Sequence, residues 1–223
     1  MSTLLAGGLT SPVLATFVFM LATLCLALVA LGGPTSARKT GIVVLPYALL
    51  AIMIVLADGP SVLLVALAFS GLGEMLLVQQ QVTASLLALG AFLAARVVYA
   101  VVFTVAGTPG MLLEGWRLAT AIVLALATVL VFVRICRRRT ALNIPEAIYG
   151  LVLVAMVATA GMVTPPTVMG GALILAAADL SHALHRYFVK RDSSVGLAQT
   201  RVIWLARFAG QVVIVFVALG LIR

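Results

Sequence analysis

Acidic residues are scarce: six Asp and Glu in 223 positions, against fourteen Lys and Arg, and charged residues of both signs make up only 9% of the chain. A soluble domain carries roughly 25% charged residues, so a water-facing surface of ordinary size is excluded. Cysteine is almost missing. Cys25 and Cys136 provide no disulfide framework and no metal-ligand spacing, and both read as inert. Long polar connections are also lacking, which leaves no room for a soluble catalytic domain, so any chemistry has to come from the apolar segments. No G-x-S-x-G elbow surrounds Ser70 or Ser181, which argues against a serine hydrolase of the soluble type. The leader MSTLLAGGLTS has no basic residue and the run after it is too long for a signal core, so a retained helix is expected there.

Hydrophobic residues fill 64% of the chain, the composition of an integral membrane protein. Eight apolar runs are long enough to cross a bilayer as helices: Pro12 to Gly32, Ile42 to Ala57, Ser61 to Gln79, Ala84 to Ala106, Arg117 to Ile135, Ile144 to Met162, Thr167 to Val189 and Thr200 to Ile222. The expected fold is all-α, one eight-helix transmembrane domain over 1–223.

The net charge of +8 does not imply a nucleic-acid partner, because the basic residues sort by loop. Arg38, Lys39, Arg134, Arg137 to Arg139, Arg186, Lys190 and Arg191 fall on one side, while Asp58, Glu114, Arg117 and Arg223 fall on the other. The positive-inside rule then puts both termini outside the cytoplasm, in a bacterial inner membrane. A few of these cations could also hold an anionic lipid headgroup. The halves 1–110 and 111–223 show parallel features about a hundred residues apart: Pro46 with Pro145, Glu74 with Asp179, FLAAR with WLAR. A duplication with parallel halves is one reading, and chance likeness among Ala-, Val- and Leu-rich helices is the other.

Two acids lie inside apolar runs, Glu74 in AFSGLGEMLL and Asp179 in GGALILAAADLSHALHRY. An ionised carboxylate in hydrocarbon is costly, so each marks a functional site by default. At 1.5 Å per residue, Glu74, Asp179, Arg96 and Arg207 lie about 7, 15, 18 and 10 Å from the cytoplasmic ends of their helices, depths that suit one shared cavity. Gly71 and Gly73 leave room beside Glu74 for a neighbouring helix or a substrate chain. Arg96 is its expected cation, in a structural salt bridge or a catalytic pair. Asp179 has no basic residue nearer along its helix than His182, and an acid without a tight partner keeps its proton more easily, which makes it the better proton donor.

Asp179, His182 and His185 are spaced three apart, so consecutive pairs adjoin on one face. A metal site would need further ligands, Glu74 first among them. The ordinary reading, a hydrogen-bonding or headgroup residue for His182 and an interface residue for His185, is preferred, and no metal or cofactor is expected. Tyr99 stands one turn beyond Arg96, Tyr149 one turn beyond Glu146 and Gln211 one turn beyond Arg207; each lines the cavity or serves as an interior hydrogen-bonding residue.

These segments resemble the YhhN family of eight-helix membrane proteins, which includes the lysoplasmalogenases. The carriers are Lys39 before the second run, AFSGLGEMLL beside the family's S-x-x-G-D-x-x-L, FLAARVVYA beside its F-x-x-x-H-x-x-Y, the Tyr and Met of IYGLVLVAM, and the Gly-Ala and Ser-Asp segment matched by GGALILAAADLSHALHRY. The chain departs from the pattern with Glu74 for Asp, Arg96 for His and Ala178 for Ser. The resemblance implies hydrolysis of the vinyl-ether bond of a lysoplasmalogen, with a lysophospholipid-type substrate and membrane lipid as partners. In those terms Asp179 is the general acid and Glu74, kept ionised by Arg96, steadies the cation and activates water. Lys39, His182 and Arg207 are phosphate contacts, and Ser70, Arg96, Tyr99 and Tyr149 join them in binding substrate. A non-enzymatic lipid-binding or proton-coupled transport protein is the rival reading.

Overall fold

The structure is a computed structural model that describes residues 11–32, 36–79, 81–137, 143–189 and 194–222. Among these residues the chain forms eight α-helices and no strand: α1 (Ser11–Ala30), α2 (Ala37–Leu56), α3 (Val62–Val78), α4 (Val82–Ala106), α5 (Gly115–Cys136), α6 (Asn143–Ala160), α7 (Thr167–Phe188) and α8 (Ser194–Ala218). A short 3₁₀ helix, Pro109–Leu113, occupies the connection before α5. Seven of the helices are long and apolar enough to span a membrane, and α3, with 17 residues, is apolar but shorter. Large hydrophobic side chains cover the outer faces; Val105, Leu130 and Leu151 are all exposed. Apolar surface on this scale, around helices whose backbone groups are satisfied internally, is the surface of an integral membrane protein.

Two helices start earlier than hydrophobicity alone predicts. In α2, Ser36 has extended backbone (φ −157°, ψ 157°) and its hydroxyl accepts the Lys39 amide at 3.1 Å, so the helix nucleates ahead of the apolar run that begins at Ile42. Pro46 lies inside α2 without ending it. α8 likewise begins at Ser194, six residues before Thr200, which shortens the expected 190–199 loop; Asp192 and Ser193 lie outside the described residues. The break at Pro165 and Pro166 falls between α6 and α7, as expected.

Helices adjacent in the chain pack together except α4 and α5, most extensively α3 with α4 and α7 with α8. Beyond these, α4 lies against α6, α5 touches α7, and α2 meets α8. Glycine decides how closely α7 and α8 approach. A Cβ on Gly210 would come within 2.8 Å of the Gly171 carbonyl oxygen and 2.7 Å of Leu175 Cγ, so backbone nearly meets backbone there. This contact lies one turn from Arg207 and holds it beside Asp179. α1 and α5 are the least buried spans, at 22% each.

Candidate functional site

Two acids and two arginines from four helices meet in the interior. Arg207 on α8 donates through Nη1 to Glu74 Oε1 on α3 at 2.6 Å and through Nε to Asp179 Oδ1 on α7 at 2.7 Å. Arg96 on α4 faces the other Asp179 oxygen, with Nε and Nη2 each 2.9 Å from Oδ2. All four side chains are buried, with Arg96 at 0% exposure. Charges removed from water this completely persist only when paired and hydrogen-bonded, and here two cations balance two anions.

Tyrosines complete the set. Tyr149 on α6 donates to Asp179 Oδ2 at 2.5 Å, and Tyr47 on α2 to Glu74 Oε1 at 3.4 Å. The Phe92 ring lies under both guanidinium groups, with its centroid 4.6 Å from Arg207 Cζ and 5.9 Å from Arg96 Cζ. Gly73 makes room for that ring, since a Cβ there would lie 2.7 Å from it. Each half of the chain thus supplies a tyrosine, an acid and an arginine, and Arg207 joins the two acids.

A cavity of about 210 Å³ opens on one side of this cluster, between α4, α5, α6 and α7, with Leu77 of α3 and Arg207 of α8 at its edge. Asp179, Tyr149, Arg207 and Phe92 line it, with apolar walls that include Leu89, Phe132 and Leu153. Further along α6 and α7, Glu146, His182 and Arg186 form a second polar group in its lining. There Arg186 Nη1 donates to Glu146 Oε1 at 3.2 Å, and Arg186 Nη2 lies 3.4 Å from His182 Nε2. Helical rise puts His182 about 4.5 Å and Arg186 about 10.5 Å along the axis from Asp179. The lining is therefore polar at two levels and apolar elsewhere.

The YhhN family profile matches residues 35–218, which takes in α2 to α8 and every residue of the cluster. The chain belongs to the YhhN family. No curated protein and no solved structure matches it. Of the three residues that set this sequence apart from the pattern it resembles, Glu74 and Arg96 are inside the ion-pair network, but they do not pair with each other.

That pairing is the first correction. Arg96, expected beside Glu74, binds Asp179, and Glu74 takes its cation from Arg207. Asp179, expected to lack a tight partner and so to hold a proton, receives both guanidinium groups and the Tyr149 hydroxyl. Both of its oxygens are therefore occupied by donors. Arg207, expected at a phosphate, has Nε and Nη1 committed to carboxylates, although it also lines the cavity. Lys39, likewise expected at a phosphate, directs Nζ to the Leu31 carbonyl at 3.2 Å, just past the end of α1, and is not part of the cavity lining.

Of the other candidates, Tyr149 and His182 line the cavity, whereas Glu74, Ser70, Arg96 and Tyr99 lie outside its lining. Tyr99 donates to Gln211 Oε1 at 2.8 Å, which joins α4 to α8 one turn from both arginines. Ser70 is fully buried and its hydroxyl makes no hydrogen bond with the described residues. His185 turns to the Gly196 carbonyl at 3.1 Å, an interface role as expected. Among the described residues, no three His, Cys, Asp or Glu side chains gather closely enough to hold a metal ion. Tyr47, Phe92 and the Glu146–Arg186 pair were not anticipated. The signal for Tyr47 was its place about a hundred residues before Tyr149, the same interval that relates the two acids.

Proposed function

We propose that this YhhN protein is a membrane-embedded lipid hydrolase of the lysoplasmalogenase kind, cleaving the vinyl-ether bond of a single-chain ether lipid. The observation that carries the reading is the apolar cavity with Asp179 in its lining and Arg186 one level further along. A glycerophospho headgroup fits the second level and the vinyl ether the first.

The chemistry needs one group that gives a proton and one that stays ionised. Protonation of the outer alkene carbon forms an oxocarbenium ion. Water adds to that ion with loss of a proton, and the resulting hemiacetal breaks its bond to the glycerol oxygen, which takes up a proton as the fatty aldehyde leaves. Asp179, held by two arginines, is the ionised group that faces the cation and orients the water. Glu74 serves as the counterion that fixes Arg207. The proton is then delivered by His182, one turn from Asp179 in the same lining, after its Nε2 has turned from Arg186 and taken up a proton from water. The resemblance within the family supports the substrate; the positive-inside pattern supports an orientation with both termini outside the cytoplasm of a bacterial inner membrane.

Aldehyde release from an alkenyl lysolipid by purified protein in nanodiscs tests the proposal. Asp179→Asn and His182→Gln each lower the rate by about 10²-fold or more. An Asp179→Asn protein with the wild-type rate removes that residue from the mechanism, and a rate unaffected by strong chelators leaves metal assistance without support. One observation favours a second reading, a lipid-binding or transport protein: both interior acids are already matched by arginines. Proton-coupled uptake into vesicles with no aldehyde formed distinguishes it.

A further inference from the structure

The cavity is too small to enclose a whole lipid. Its volume of about 210 Å³ is below the roughly 300–1,000 Å³ of pockets that bury most of a drug-sized ligand. A glycerophospholipid with one long chain is larger than such ligands, so part of it has to remain outside. The portion outside must meet surroundings that tolerate hydrocarbon.

Two lining residues indicate where it leaves. Val129 on α5 and Leu151 on α6 border the cavity and are nevertheless 57% and 71% exposed, on faces that carry the apolar outer surface. The helices touch beside these residues, where a Cβ on Gly150 would lie 2.7 Å from Thr128 Cγ2, so α5 and α6 have to part here for a chain to pass. Along α6 the order is Glu146, Tyr149, Leu151, with Leu151 about 7.5 Å from Glu146 along the axis. Headgroup level, reacting level and exit thus follow one another in the order in which a lipid presents its headgroup, first chain carbons and tail.

We infer that the cavity opens sideways to the bilayer between α5 and α6, and that a single-chain lipid enters through this gap with its first carbons beside Asp179 and the rest of its tail left among membrane lipids. The inference rests on the cavity being a single-chain lipid site. It gives Val129 and Leu151 a role in entry without contact at the reacting bond, and it makes the site indifferent to tail length beyond the first carbons.

The test is photolabelling of the full chain in nanodiscs with saturated lysophosphatidylcholine, which cannot be hydrolysed at a vinyl ether. One probe carries a diazirine on a carbon near the ester and the other on the terminal carbon. The first is expected to label cavity-wall peptides containing Phe132 or Leu153, and the second to label bulk lipid and not those walls. Leu151→Trp, at a position exposed enough to take the larger ring, lowers wall labelling about tenfold, a difference of roughly 1.4 kcal/mol. Leu151→Ala raises it. Terminal-carbon labelling of the walls, or wall labelling unchanged in both variants, overturns the lateral opening while leaving the lipid site standing. Absence of wall labelling by the first probe overturns both.

Discussion

Replacing Arg207 by Met removes the cation that joins the two acids. Glu74 then loses its 2.6 Å contact and retains only the Tyr47 hydroxyl at 3.4 Å. Asp179 keeps both contacts to Arg96 and its bond from Tyr149. The cost therefore falls mainly on Glu74, which is 3% exposed. Breaking a buried ion pair from one side costs about 3–5 kcal/mol, most of it the penalty of leaving the other charge unpaired. Neutralising that charge removes the penalty, so the Glu74→Gln, Arg207→Met double variant should be more stable than the sum of the singles by about 1–3 kcal/mol. The assay is reversible unfolding in mixed micelles, followed by the fluorescence of Trp204, which is buried against Tyr47 and Phe208 near the network. A parallel cycle pairs Glu74→Gln with Arg96→Met, and its coupling is expected to be the smaller. Stronger coupling of Glu74 to Arg96 than to Arg207 would refute the pairing on which the argument depends.

Gly210→Ala puts a methyl group against the Gly171 carbonyl and Leu175, where backbone cannot yield, and should cost about 1–3 kcal/mol in the same unfolding assay. Gly170→Ala, with nothing within 4 Å of the new methyl, should be neutral or slightly stabilising. Tyr149→Phe removes a bond to a charged acceptor and is expected to destabilise by about 1.5–3 kcal/mol. Lys39→Ala loses a cation at the end of α1, worth about 0.3–1 kcal/mol, while lipid labelling of the cavity stays at the wild-type level; a marked loss of labelling would return Lys39 to the binding site.

The helices were legible because a bilayer accepts little else: an apolar run of sufficient length has to satisfy its own backbone hydrogen bonds. Their starts were less so. The first turn of α2, ARKT, is largely polar and the first two turns of α8, SVGLAQTR, are mixed, and a helix continues past the hydrocarbon wherever a cap such as Ser36 or ordinary helical residues allow it. Glu74, Asp179, Arg96 and Arg207 stood out for a related reason, since a charge in an apolar segment has few inexpensive places to be. Tyr47 and Phe92 did not stand out, because tyrosine and phenylalanine are at home in a membrane helix whether or not they touch a charge.

What the amino-acid sequence by itself determined was the all-helical membrane fold, the membership of the YhhN family, and the four charged residues that had to find partners inside it. Tertiary structure alone decided which charge met which. Helical periodicity assigns a residue to a face and a depth, but the partner across that face depends on how closely the helices pack. The Gly171–Gly210 contact brings α8 against α7 and puts Arg207 between both acids, which leaves Asp179 with two cations, Glu74 with one, and only Asp179 of the two acids in the lining of the cavity.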